Sequence, residues 1–117
     1  MRVRRKFEFE AAHELPRHPG KCRNLHGHSY VLFVTVDRPV DDESGMAIDF
    51  SELKRIVHDA VVDRLDHRYA NDLIDNPTAE RMAVWTWERL RPVLPGLVEI
   101  ELFETSRCSV VYRGEES

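Results

Sequence analysis

With 117 residues, 17 basic against 21 acidic side chains and a formal charge of −4, the chain suits one soluble domain, residues 1–117, rather than two. Its composition, 42% hydrophobic and 32% charged, excludes a disordered or collagen-like chain, and the mild negative balance argues against nucleic acid as the main partner. No apolar run approaches the ~20 residues of a membrane span, Glu8 and Glu10 interrupt the N-terminus where a signal peptide would stay apolar, and Cys22 and Cys108 are too few for a disulfide framework, so a cytoplasmic protein with reduced thiols is expected.

From Val3 to His13 the chain alternates, Val3, Phe7, Phe9, Ala11 and His13 against Arg4, Lys6, Glu8 and Glu10. This predicts a half-buried strand with His13 on its apolar side. Pro16, Pro19 and Gly20 break regular structure, and Arg17, His18, Lys21 and Arg23 make the following loop basic. A second strand is predicted over His28–Asp37, apolar on both parities and therefore expected to be covered on both faces. Asp49-Phe50-Ser51-Glu52 resembles a capping box. It predicts a helix whose apolar stripe is Phe50, Leu53, Ile56, Val57, Ala60 and Val61, ending near Leu65, with His58 off the stripe and solvated. Asn76-Pro77-Thr78 opens a second helix to about Leu90, with Ala79, Met82, Ala83 and Leu90 inward; Trp85 and Trp87 cannot both face one core. The tail reads as a hairpin in which Val98, Ile100, Leu102 and Glu104 share a face and Cys108, at the start of the last strand, packs inside. The order is an α+β pattern, a four-stranded antiparallel sheet with two helices on one face, whose open edges favour self-association.

Six histidines are present, and His13, His18, His26 and His28 crowd the first quarter of the chain. His26 and His28 lie two apart in an extended segment, hence on one face and roughly 6.6 Å apart at ~3.3 Å per residue. Gly27 between them permits close backbone approach, and His13 can supply a third nitrogen. Three imidazoles without a cysteine pair look like a catalytic zinc site with an exchangeable position. The alternative is two polar strand-end histidines and a core one. His18, in the loop, suits a charged or substrate-facing role better than ligation.

Cys22 lies between Lys21 and Arg23, where positive charge favours a thiolate able to act as base or nucleophile. Asp66-His67, at the end of the first helix, is either a proton relay or a dipole partner. Glu104 interrupts an apolar strand face and needs a ligand with N–H donors, a solvent-exposed strand end or an arginine such as Arg107. Glu80 is explained by the helix dipole.

Taken together, Phe9-x-Ala11-Ala12-His13, Cys22-x-x-x-His26-Gly27-His28, Gly45-Met46-x-x-Asp49-Phe50, Leu65-Asp66-His67, Asn76-Pro77-Thr78-Ala79-Glu80 and Glu104-Thr105 resemble the 6-pyruvoyl-tetrahydropterin synthase and 6-carboxytetrahydropterin synthase family over nearly the whole chain. The short gap from Cys22 to His26 is most like the bacterial 6-carboxytetrahydropterin synthases of queuosine and deazapurine biosynthesis; Ala70 departs from a commoner leucine. The resemblance implies the tunnelling fold, oligomerising into a barrel, with a homohexamer of two trimers and sites between chains. It implies Zn2+ held by His13, His26 and His28 against the side-chain hydroxyls of 7,8-dihydroneopterin triphosphate, Cys22 as base, Asp66 and His67 as relay, and Glu104 with Thr105 as pterin-binding residues. The expected products are 6-carboxy-5,6,7,8-tetrahydropterin, acetaldehyde and triphosphate. Triphosphate elimination with a retained pyruvoyl side chain is the nearest alternative, and a non-enzymatic zinc-stabilised oligomerisation module the one from another class. Arg17, Lys21 and Arg23 are placed by charge to attract the triphosphate.

Overall fold

The computed structural model of the chain describes residues 1–115. Strand β1 (Arg2–His13) pairs antiparallel along its whole length with β2 (His26–Asp37), so that Arg2 stands opposite Asp37 and His13 opposite His26. The predicted alternation holds: Phe7, Phe9, Ala11 and His13 are buried and Arg4, Lys6, Glu8 and Glu10 exposed. β2 begins two residues earlier than expected because its pairing continues to the end of β1.

Asp49 caps the first helix by accepting from the Ser51 N–H at 2.7 Å, as the sequence predicts. Helix α1 (Phe50–Val57) runs on through a π-helical stretch (His58–Val62) and a last turn (Asp63–Leu65). The wider π turn brings both Val61 and Val62 to the buried side with Leu65. Phe50 is not part of the stripe; it sits in the first turn, 59% exposed. Helix α2 (Ala79–Leu90) is capped by Thr78, whose hydroxyl accepts from Arg81 N–H, and buries Met82, Ala83, Thr86 and Leu90. Ala79 is only half-buried. The two tryptophans flank this stripe, Trp85 under the Arg89 guanidinium and Trp87 edge-on to Tyr112.

Among the described residues the sheet has five strands, not four, in the order β3-β1-β2-β4-β5. β4 (Leu97–Thr105) and β5 (Cys108–Tyr112) form the expected hairpin. The strand missing from the sequence reading is β3 (Arg68–Tyr69), which lies parallel to β1 at Ala11 and Ala12. Two residues carry no periodicity, so no pattern could announce it. Both helices cover the face of Leu32, Val34, Ile100 and Leu102, and full burial of each such side chain contributes about 1.5–3 kcal/mol. Among the described residues no helix covers the opposite face. Val31 and Phe33 stay half-buried there, with Phe103 beside Phe33 and the Arg4 guanidinium 4.6 Å above its ring. Cys108 is exposed rather than packed inside, because it opens β5 at the hairpin turn opposite Thr105.

Candidate metal centre and relay

Strand parity assembles the centre. His13 closes β1 on the helix-covered side, and His26 and His28 open β2 on the same side. One ring nitrogen from each lies within 4.8 Å of the other two. Nitrogens around a tetrahedral zinc at 2.0–2.1 Å would stand roughly 3.3 Å apart, so the donor set suits the ion. Gly27 is not required by crowding: a Cβ there would meet Ala11 O at 3.6 Å, an ordinary contact.

The hydrogen bonds decide what the imidazoles can do. His13 Nδ1 lies 2.9 Å from the Pro77 carbonyl and His26 Nδ1 2.7 Å from the Asn24 carbonyl. Carbonyl oxygens only accept, so both Nδ1 atoms carry the proton and both Nε2 atoms present lone pairs. Those two Nε2 atoms face each other at 2.9 Å. Two lone pairs cannot share a bond; a proton on one Nε2 or a metal cation bound by both resolves the contact. His28 Nε2 is buried with no hydrogen-bond partner and lies 3.5 Å from Glu104 Oε1. Burial, opposed by the Pro77 carbonyl and reinforced by His26, lowers the His13 pKa and keeps the ring neutral as a ligand must be. Tyr30 stands edge-on to His13 and His28 and stacks on Phe9, its hydroxyl 3.4 Å from His13 Nδ1, and its pKa is raised by burial and then by Glu104.

Glu104 therefore stands beside the histidines rather than pairing with Arg107. Thr105 is exposed, its hydroxyl accepting from Arg107 N–H in the turn. Cys22 is half-buried in a 3-10 turn (Lys21–Arg23), its carbonyl accepting from Leu15 N–H. Arg17, Lys21 and Arg23 are exposed around it, Arg17 reaching Asp75 at 3.4 Å. His18 is exposed and accepts from Gly20 N–H. His58, only about a third exposed, bonds Asp63 at 3.1 Å and meets Phe7 edge-on.

Asp66 and His67 lie across β1 from the histidines. His67 Nδ1 is 3.0 Å from Asp66 Oδ1, which also accepts from Glu10 N–H at 2.9 Å. His67 N–H in turn donates to the Glu10 carbonyl at 2.6 Å, and His67 holds a left-handed backbone, φ 59°. The Glu10 amide is the main reason the Asp66 carboxyl lies below its ordinary range; desolvation opposes it, and the hydrogen bond and charge of His67 add to the lowering. A carboxylate accepting from Nδ1–H leaves Nε2 of His67 free for proton transfer. A cavity of about 690 Å³ beside His67 is lined by Glu10, Leu25, Ser29, Arg68 and Tyr69, and of the three clustered histidines only His28 borders it. Cys22 does not line it. Sequence reasoning missed Glu10, Pro77 and Asn71, the last of which bonds both main-chain groups of Glu14 where β1 ends. Glu10 and Pro77 act through main-chain atoms, which residue type does not reveal.

The family model of 6-pyruvoyl tetrahydropterin synthase matches residues 2–115. The chain belongs to that family. A 6-carboxy-5,6,7,8-tetrahydropterin synthase of Synechocystis sp. is 42% identical over 117 residues, covering 94% of this chain and 91% of that protein. A dihydroneopterin monophosphate aldolase of Pyrococcus furiosus is 40% identical over 100 residues, 86% of this chain and 83% of that protein. The solved structure of Caenorhabditis elegans 6-pyruvoyl tetrahydropterin synthase superposes with a TM-score of 0.88 at 30% identity, covering 98% of this chain and 96% of that one. The fold is accordingly the tunnelling fold expected from the motifs, here as an open sheet of five strands.

Proposed function

We propose that the protein is a zinc-dependent lyase that converts 7,8-dihydroneopterin triphosphate to 6-carboxy-5,6,7,8-tetrahydropterin, releasing acetaldehyde and triphosphate. The observation that carries this reading is the pair of opposed Nε2 lone pairs beside the buried His28 nitrogen and Glu104. The 42% identity to a protein of that activity supports the choice within the family.

His13, His26 and His28 would hold the ion, oriented by Pro77 and Asn24. A zinc ion in such a site supplies Lewis-acid chemistry, lowering the pKa of a bound water or hydroxyl. Glu104 accepts the N–H groups of the pterin, with Thr105 at the same strand end. Cys22 takes a carbon-bound proton as thiolate. Asp66 holds the His67 ring so that Nε2 serves the opposite proton transfer. Arg17, Lys21 and Arg23 draw in the triphosphate. The same reading includes a homohexamer of two trimers with sites between chains, a cytoplasmic location and supply of queuosine biosynthesis. The assembly is supported by the half-buried Val31, Phe33 and Phe103 on the uncovered sheet face and by the edge strands β3 and β5.

Incubating the purified protein with 7,8-dihydroneopterin triphosphate and weighing the products tests the reading. A carboxypterin with acetaldehyde supports it. A retained pyruvoyl chain, the reaction named for the Caenorhabditis elegans structure, would replace it, and no product at all would refute it. Light scattering on the same sample tests the hexamer.

A further inference from the structure

We infer that Asn71 is a positioning residue for the metal centre: its side-chain amide, bonded to both main-chain groups of Glu14, fixes the peptide unit that His13 shares with Glu14 and so holds the buried ligand at the end of β1. The inference rests on the reading of His13, His26 and His28 as zinc ligands.

β2 pairs with β1 only as far as His26, opposite His13, so the chain beyond His13 has no strand partner on that side. The Asn71 amide takes over there. Its Oδ1 accepts from Glu14 N–H at 2.9 Å and its Nδ2 donates to the Glu14 carbonyl at 2.9 Å. A primary amide carries an acceptor and donors side by side, so it reproduces the pair of bonds that a residue of a neighbouring antiparallel strand would make. The flipped amide would set donor against donor and acceptor against acceptor, which fixes its orientation.

The Glu14 N–H belongs to the planar unit that contains the His13 Cα and carbonyl. Gripping it fixes the main chain of His13 on its C-terminal side, while the Pro77 carbonyl holds the ring through Nδ1 at 2.9 Å. Both anchors act on the one histidine of the three that is fully buried, and whose Nε2 lies 2.9 Å from that of His26. A small swing of the His13 main chain would carry that nitrogen out of the donor set.

Both anchors also come from one short stretch of chain. It leaves the first helix after Leu65, runs as β3 beside Ala11 and Ala12, turns through Ala70–Asp72 and reaches Pro77. The turn is itself fixed, because Ala70 is fully buried and its carbonyl accepts from Leu73 and Ile74 N–H at 3.0 and 2.9 Å. Asn71 therefore projects from anchored backbone. Further on, Asn76 holds a left-handed backbone, φ 47°, and its carbonyl accepts from Thr78 N–H at 2.7 Å, a tight turn with Pro77 at its centre. The stretch that carries Asp66 and His67 against Glu10 thus continues into the two anchors of His13.

The test measures the zinc dissociation constant by competition with a chromophoric chelator for wild type, Asn71→Ala, Asn71→Asp and Gly96→Ala, with the metal-free Tm of each. Removing a partner that orients a metal ligand costs about 10–100-fold in affinity, so Asn71→Ala is expected to raise the zinc Kd about tenfold or more. Asn71→Asp keeps the acceptor for Glu14 N–H and loses only the donor to its carbonyl, and is expected to stay within about threefold of wild type. Gly96→Ala strains the far end of β2, where the Gly96 carbonyl accepts from Asp37 N–H. It is expected to lower Tm without moving the zinc Kd, which separates positioning from general loosening. Should Asn71→Ala not fold, Asn71→Ser, whose shorter side chain leaves room for a water, takes its place under the same criteria. An alanine variant within about twofold of wild type overturns the inference. So does an aspartate variant that binds zinc as weakly as the alanine one, or a Gly96→Ala protein whose affinity falls as far as that of Asn71→Ala. Failure of the underlying reading is separately visible, as wild-type protein that binds zinc no more tightly than His26→Ala, and it overturns this inference with it.

Discussion

Replacing His26 by alanine separates the metal from the fold. His26 is half-buried at the first position of β2, and its ring makes one hydrogen bond, to the Asn24 carbonyl. Removing it opens no core cavity, since the fully buried histidine is His13, with 0% of its surface exposed. The metal-free variant should lose at most one hydrogen bond, about 0.5–1.5 kcal/mol. It also loses the unfavourable facing of two Nε2 lone pairs, which offsets part of that cost.

With zinc at a hundred times its dissociation constant, the wild type gains about 2.7 kcal/mol from linkage. For a domain of this length that is roughly 8–16 °C in Tm. If losing one of three ligands weakens binding a hundredfold, the variant at the same zinc concentration gains only about 0.4 kcal/mol, on the order of 2 °C. Calorimetric melts at fixed protein concentration, with chelator and with zinc, would read all four values, and metal analysis after gel filtration would confirm occupancy. A zinc-induced rise in His26→Ala equal to that of the wild type would show that the triad is not the site.

Cys22→Ala should retain stoichiometric zinc and lose turnover a hundredfold or more, as expected for a removed proton-transfer group; full turnover would eliminate the proposed base. Asp66 should titrate below the ordinary carboxyl value, so any stability it contributes is present above that value and lost as pH falls through the depressed one. A carbon-detected NMR titration would show this, and His67→Ala should raise the value only in part because the Glu10 amide is the larger cause. Gly96→Ala should destabilise the fold by about 1–3 kcal/mol, since φ is +88° and a Cβ would stand 2.7 Å from Asp37 O. Its metal content, measured on the folded fraction, should be unchanged.

Much of this architecture is legible in the residues because it depends on side-chain period. Alternation along β1 places His13 inward, and the Asp49 and Thr78 caps mark both helix starts. What escapes is whatever depends on main-chain geometry or on a neighbour far away in sequence. β3 is two residues of parallel pairing that only β1 makes meaningful. Phe50 fits the helical stripe by spacing, yet lies in the first turn, beyond the reach of the sheet. Cys108 reads as an apolar strand residue until the hairpin turn puts it at an exposed end. The site divides in the same way: the histidines are visible as residue types, whereas Pro77 and Glu10 contribute a carbonyl and an amide that every residue type except proline's missing N–H would offer equally.

The two halves of the site use the same physical shift for opposite ends. Both His13 and Asp66 have lowered pKa values. For a base that means remaining neutral, and for an acid it means remaining charged. The causes differ with the face of the sheet. His13 lies under the helices, where burial removes the charge and leaves a nitrogen lone pair for a metal. Asp66 lies at the more open β1–β3 edge, where a main-chain N–H and an imidazole stabilise the carboxylate without deep burial. A single buried cluster could not easily supply both, because the desolvation that keeps His13 neutral would push Asp66 toward its protonated form. Standing on the buried parity of β1, His13 has the dry environment that favours a neutral ring, and Asp66, against the open β1–β3 edge, has the donors that favour a carboxylate, so each group has the surroundings its protonation state requires.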